Sequence, residues 1–254
     1  MSIGDTERAT QDRVVSFFKD RDILDYEYLG NLKDAANKNI REDRLRAYLR
    51  LSGYSQKLID GAVSKLVKAA DDMTHGLYDA NHEVYSLLKY GAKVKETADG
   101  APKTVYFMDV ETPTNNDFAI AEEVTVVGRQ EKRPDLVIYV NGIAMAVIEL
   151  KKSSVSVSNG IRQNLTNQKD GFIAPFFTTM QFCMAGNETE GLRYGTILTG
   201  EKYYMEWKPD GFHENEDERD PEDARIMAYC EKLDNLLLQQ IYPVSYTHLT
   251  LPTN

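Results

Sequence analysis

The sequence predicts an α/β fold: a mixed sheet flanked by helices, with a helical subregion at the N-terminal end. Three observations carry this reading. Apolar residues recur at three- and four-residue intervals through the first ninety residues, and the period changes to two after Gly91. Residues 134 to 151, P-D-L-V-I-Y-V-N-G-I-A-M-A-V-I-E-L-K, then form two apolar runs about an Asn-Gly pair, the strongest short hairpin signal.

The first helix is predicted where Val14, Val15, Phe17 and Phe18 follow Thr10 and Gln11 in a stretch without Gly or Pro. Leu45, Leu49 and, less regularly, Tyr48 mark a second, closed by Gly53. Ile59, Val63, Leu66, Val67 and Ala70 mark a third, and Val84, Leu87 and Leu88 a fourth that ends at Gly91. All four stripes read as core. Beyond Gly91, A-K-V-K-E-T alternates, T-V-Y-F-M-D-V has strand composition, and P-T-N-N-D is a turn. A-E-E-V-T-V-V-G carries the sheet into the hairpin, and a helix is expected from about Ser158 to Gln168. Strands are expected at F-F-T-T-M-Q-F-C-M-A, Y-G-T-I-L-T and Y-Y-M-E-W-K, then a last helix from Ala224 to Gln240. The chain thus divides into a helical subregion over 1–92, a sheet-bearing core over 93–210, an acidic loop and helix over 211–242, and a tail over 243–254. That tail resembles translated adapter sequence and is excluded from the fold.

Composition narrows the function. The formal net charge is −10, whereas DNA binding draws its affinity from Lys and Arg, so tight binding by this chain alone is not expected. Much of the acid lies in H-E-N-E-D-E-R-D-P-E-D, residues 213 to 223, which reads as a solvated loop away from the hairpin. No apolar run reaches membrane-spanning length, and the charged N-terminus lacks the apolar stretch of a secretory signal; both predict a cytoplasmic protein. Cys183 and Cys230 stand far apart, outside any C-x-x-C pattern, and read as reduced thiols. The histidines at 75, 82, 213 and 248 lack metal-site spacing. G-T-I-L-T-G-E-K, residues 195 to 202, has the glycine spacing of a phosphate-binding loop but not its Gly-Lys-Ser/Thr ending, and reads as a strand, so no ATP site is expected.

The hairpin carries the chemistry. It delivers Asp135 to one end of its first strand and Glu149 and Lys151 to the matching end of the second. Residues two apart in a strand share a face, so Glu149 and Lys151 point one way and Leu150 the other. Both strands are almost wholly apolar and belong inside a covered sheet, where a charged cluster is costly unless paired or bound to metal. Carboxylate oxygens suit Mg²⁺, which keeps several waters and takes one or two carboxylates along with phosphate oxygens. The register imposes a condition. A plain two-residue Asn-Gly turn pairs Val140 with Ile143, sets Asp135 opposite Ile148 and leaves Glu149 on the other face. Convergence therefore requires a one-residue offset, either a three-residue loop with Gly142 left-handed or a bulge near Asp135.

Pro134-Asp135, thirteen residues, then Glu149-x-Lys151 resembles the signature of PD-(D/E)xK nucleases. The surrounding words narrow the resemblance. N-N-D-F-A-I-A-E-E-V-T-V-V-G, K-R-P-D-L-V-I-Y-V-N-G-I-A-M-A-V-I-E-L-K, L-S-G-Y-S, F-F-x-x-M-Q-F, R-Y-G-T-I-L-T and W-K look like the N-terminal nuclease domain of type I restriction enzyme R subunits (HsdR), over residues 5 to 242. The resemblance implies a restriction-endonuclease-like core and Mg²⁺-dependent hydrolysis of double-stranded DNA, with Asp135, Glu149 and the Leu150 carbonyl as metal ligands and Lys151 as the catalytic lysine. It also implies a Q-x-x-x-Y motif near the scissile phosphate. Gln163 matches its glutamine, while Asn167 stands where the tyrosine would be and could reach the same phosphate from the same helix face. Glu7 is the candidate for an accessory acid from an N-terminal helix. The implied partners are the methyltransferase and specificity subunits of a restriction-modification complex, with ATP used only by motor domains beyond this chain. The alternative is a non-cleaving DNA-docking or subunit-assembly module on the same fold, favoured by the acidic surface and the missing tyrosine.

Overall fold

The computed structural model describes residues 7–21 and 24–206; the helix expected over 224–240, the acidic loop and the tail lie outside the described residues. In chain order the elements are α1 (Glu7–Lys19), β1 (Glu27–Asn31), α2 (Glu42–Leu51), α3 (Gln56–Asp71), α4 (Leu77–Tyr90), β2 (Ala92–Lys95), β3 (Pro102–Val105) and β4 (Phe118–Glu122). There follow β5 (Val126–Val127), β6 (Glu131–Lys132), β7 (Leu136–Val140), β8 (Ile143–Leu150), α5 (Val157–Asn167), β9 (Phe182–Asn187), β10 (Gly191–Gly195) and β11 (Met205–Glu206). The main sheet has seven strands in the order β1-β4-β7-β8-β9-β10-β11. It is mixed: β1 runs parallel to β4 and β8 parallel to β9, and the other pairs are antiparallel.

Every residue of β7, β8 and β9 is buried, because helices cover one face and a second apolar layer covers the other. Leu136, Ile138 and Val140 of β7 enter the core shared with α1 to α4, while Val137 and Tyr139 face the opposite layer with Phe176, Phe177 and Cys183. The helical stripes read as core do lie in it, from Phe18 through Leu45, Leu49, Ile59, Val63 and Leu66 to Leu88. Among the described residues no helix is long and apolar enough to cross a membrane.

The structure corrects several element assignments. Residues 27–31, inside the supposedly helical region, form an edge strand. E-Y-L-G-N has polar ends and only part-buried centres, so it lacks strand alternation, and pairing with β4 sets its form. The β2-β3 hairpin is a separate two-stranded sheet rather than part of the main one, seated where Gly61 of α3 lets Val94 approach. The strand expected over 121–128 begins earlier, at Phe118, and breaks at Glu123, which takes a left-handed φ of 52°. Of the strand expected over 176–185, the second part is β9, but the first belongs to a largely buried 3₁₀ turn over 174–179. Pro175 at its start cannot donate to a ladder, and side chains take its backbone carbonyls: Asn39 Nδ2 donates to Pro175 O, and Asn81 Nδ2 to Thr178 O and Met180 O. The 195–202 segment is not a continuous strand: β10 ends at Gly195, and a turn with left-handed Leu198 (φ 58°) leads into a single 3₁₀ turn.

Candidate active site

The hairpin combines a two-residue turn with the offset that convergence requires. Asn141 (φ 51°) and Gly142 (φ 81°) form the turn, with Val140 paired to Ile143 and Tyr139 to Ala144. One step further the register shifts: Ile138 pairs with Ala146, Val137 with Val147 and Leu136 with Ile148. Met145 is the extra residue. Alternation records the bulge, since Met145 and Ala146 both enter the helical core, and beyond them it is Val147 that faces the opposite layer. The offset turns Glu149 onto the face of Asp135. Of the two forms expected, a three-residue loop with left-handed Gly142 or a bulge near Asp135, neither occurs: Gly142 is left-handed but the loop keeps two residues, and the bulge falls near the turn, where tertiary partners take the backbone groups that the ladder releases. Gln181 N–H donates to the Met145 carbonyl, the Thr179 hydroxyl to the Ala144 carbonyl, and Ala144 N–H to the Asn39 carbonyl.

Asn141 accounts for the turn's fixed geometry. Its side chain donates to Phe107 O and Asn116 Oδ1 and accepts from Asp117 N–H, all within 2.8 Å, and asparagine tolerates the left-handed conformation. Gly142 has no such choice. A Cβ there would stand 2.7 Å from the Arg41 carbonyl, while the Arg41 N–H donates to the Gly142 carbonyl and ties the turn to the start of α2.

At the other end of the hairpin the predicted residues meet. Leu150 N–H donates to Asp135 Oδ2 at 2.7 Å, and Lys151 Nζ lies 3.7 Å from the same oxygen. The lysine also donates to the Leu150 carbonyl at 2.6 Å and to Glu7 Oε1 at 3.3 Å, so α1 brings its first residue to the site. Gln163 Nε2 donates to Glu149 Oε2 at 2.7 Å. That contact depends on Gly160, where a Cβ would meet Ala185 Cβ at 2.9 Å and Glu149 O at 3.3 Å; its absence lets α5 lie close against β8 and β9. Asn167, one turn beyond Gln163, is almost fully buried, but both residues line one cleft between α5 and the β5-β6 hairpin.

The electrostatics are those of a strained acid pair. Burial pushes the Glu149 carboxyl well above the usual carboxylate range, and the nearby Asp135 pushes it further. Burial also raises Asp135, against the opposing pull of Lys151 and the Leu150 N–H. Oε1 of Glu149 is buried and has no hydrogen-bond partner among the described residues. No group of three or more His, Cys, Asp or Glu side chains among them is placed to hold a metal.

Sequence reasoning missed several supporting residues. Gln11 on α1 donates to the Asp135 carbonyl at 3.4 Å, and Thr10 donates to Glu188 at 3.1 Å. Arg8 pairs with the buried Glu122 of β4, which also accepts from Asn31. Thr10 and Gln11 did carry a signal: they are polar residues on the helix face that Val14 and Phe18 bury.

The site is thus a buried carboxyl, a part-buried carboxyl and an amine, set at one end of a mixed α/β sheet. Comparison with known proteins gives the family. Residues 6–202 match the model of the type I restriction enzyme R protein N terminus, and the chain belongs to that family. It is 25% identical over 201 residues to the type I restriction enzyme EcoprrI endonuclease subunit of Escherichia coli, covering 72% of this chain and 58% of that one. It is 33% identical over 160 residues to the type I restriction enzyme HindI endonuclease subunit of Haemophilus influenzae, covering 60% of this chain and 15% of the relative. The chain therefore spans only part of the length of these relatives.

Proposed function

We propose that this region is the DNA-cleaving domain of a type I restriction enzyme R subunit, built on a restriction-endonuclease-like PD-(D/E)xK core and hydrolysing phosphodiester bonds with Mg²⁺ in a complex with methyltransferase and specificity subunits. The observation that carries the proposal is the convergence of Asp135, Glu149 and Lys151 on one face, which the hairpin achieves only through the bulge at Met145. A purely structural hairpin has no need of a register shift that gathers two carboxyls in one corner, where burial disfavours ionisation of both and Asp135 disfavours that of Glu149 further.

The residues fit a hard divalent cation. Glu149 Oε1 is an unpartnered buried oxygen, and the two carboxyls with the Leu150 carbonyl make the small oxygen set that Mg²⁺ takes while keeping waters. Bound there, Mg²⁺ would supply charge stabilisation at the phosphate and a more acidic water. Asp135 and Glu149 would hold it, with Gln163 fixing the Glu149 carboxylate through Oε2. Lys151 Nζ, now shared by Leu150 O, Glu7 Oε1 and Asp135 Oδ2, is poised to donate to an attacking water or a phosphate oxygen. Glu7 would keep that amine oriented.

The test is Mg²⁺-dependent DNA cleavage by the assembled restriction complex carrying Glu149→Gln in its R subunit. The expected result is loss of cleavage by roughly a hundredfold or more, the order found when a group that stabilises the transition state is removed. Cleavage at the wild-type rate would leave a non-cleaving docking or assembly module as the function of this fold.

A further inference from the structure

The chain carries a net charge of −10, yet one cleft has the opposite character. It runs between the β5-β6 hairpin and α5, and the charged residues lining it are Lys132, Arg133 and Arg162, beside the polar side chains of Asn159 and Thr166. Among the described residues its lining contains no carboxylate. Two other cavities differ: the one at α2 is lined by Glu27, Asp43, Asp109 and Asp117 around Arg44, and the one between α3 and α4 mixes Lys65 and Lys68 with Asp72, Asp79 and Glu83. The acidic average of the sequence therefore conceals a local cationic groove.

Its walls are fixed. Val124 N–H donates to Pro134 O and Glu123 N–H to Asp135 O at the base of the hairpin, and Arg129 N–H donates to Phe172 O near its tip. Gly128 permits the close approach, since a Cβ there would lie 2.3 Å from the Phe172 carbonyl. The Lys132 ammonium sits 4.8 Å from the centre of the Phe172 ring. Arg133 and Arg162 are held by Glu123 and Glu201, but both arginine side chains are more than half exposed, and pairs of this kind exchange readily for another anion.

Position relates the groove to the acid pair. Lys132 and Arg133 precede Asp135 by three and two residues, a reach of at most about 10 Å, and Gln163 lines the groove while bonding Glu149. One strand of duplex DNA advances about 3.4 Å of axis per nucleotide, so the groove lies within a few nucleotides of a phosphate held at Asp135 and Glu149.

We propose that this groove binds the sugar-phosphate backbone flanking the cut, with Lys132 and Arg133 on the hairpin wall and Asn159, Arg162 and Thr166 on the α5 wall contacting its phosphates. The inference rests on the nuclease reading, which supplies the phosphate at the acid pair. Such contacts carry no sequence information and position the strand for cutting. They give an acidic domain local affinity for DNA where the chemistry needs it.

The experiment measures binding of labelled duplex DNA lacking a recognition site to the complete R subunit over a range of salt, for wild type, Lys132→Ala/Arg133→Ala, Lys132→Arg and Lys103→Ala. Cleavage by the assembled complex is followed in parallel, with Glu149→Gln as the reference. Removing one phosphate-binding cation is expected to reduce the slope of log affinity against log salt by about one, so the double alanine variant should show a slope lower by about two. Lys132→Arg, which keeps the charge, should retain the slope, and Lys103→Ala on β3 should not change it. A wild-type slope in the double variant, with Glu149→Gln inactive, would overturn the groove proposal and leave the nuclease reading intact. A reduced slope with Glu149→Gln fully active would support the groove and overturn the nuclease reading.

Discussion

Glu149 concentrates the energetic conflict of the site. It is fully buried, faces a second carboxyl and keeps one oxygen without a partner. Glu149→Gln removes the group that is costly to ionise there and keeps an oxygen able to accept from Gln163. Its stability in urea without divalent metal is therefore expected to equal or exceed wild type, within about 1 kcal/mol. Added Mg²⁺ should then separate the two proteins: the wild-type melting temperature rises with metal concentration because the folded state binds it, and that of the variant does not. A variant that loses several kcal/mol without metal would show that Glu149 holds the fold together. Cys183 gives a simpler check. Burial raises its thiol far above the ordinary range, so a thiol-specific alkylating reagent should leave it unmodified in the native protein and modify it on denaturation. At this scale the sequence was informative, because the hairpin pattern singles out Asp135, Glu149 and Lys151, and the family resemblance adds Gln163. The unpartnered oxygen of Glu149 was not legible, since it depends on which atoms of α5 and α1 arrive beside it.

At the scale of elements, the hairpin shows what a pattern can and cannot specify. The demand for an offset follows from alternation and the two-residue turn alone. Its location at Met145 depends on Asn39, Thr179 and Gln181, which arrive from distant parts of the chain to take the freed backbone groups. The buried 3₁₀ turn at 174–179 was hidden for the same reason, its carbonyls being capped by Asn39 and Asn81. Asn141→Ala removes two buried hydrogen bonds, a third that is part-buried, and the residue suited to a left-handed φ. It should cost roughly 2–4 kcal/mol in denaturant unfolding, against less than about 1 for an exposed change such as Lys103→Ala. Gly160→Ala should perturb differently. The added methyl pushes α5 off Ala185 and Glu149, so the expected outcome is weakened Mg²⁺ affinity through displaced Gln163, read by titration calorimetry, with the fold retained.

Over the described residues a helical layer packs on a mixed sheet whose central strands are buried on both faces, and Asp135, Glu149 and Lys151 meet at one end of those strands. Composition was legible as a bulk property and misleading as a local one, because the cations of the groove are gathered by a hairpin and a helix that are far apart in sequence. The membership of residues 6–202 in the type I restriction R protein family agrees with the resemblance carried by the motif blocks. The most direct test of the proposed cleavage site is nicking of supercoiled DNA by the assembled complex, supplied with ATP and Mg²⁺, when its R subunit carries Lys151→Ala. Nicking should fall by at least roughly a hundredfold, in the range of an essential proton donor or electrostatic group, with DNA binding retained. Nicking at the wild-type rate would contradict the assignment of Lys151 and, with it, of the site.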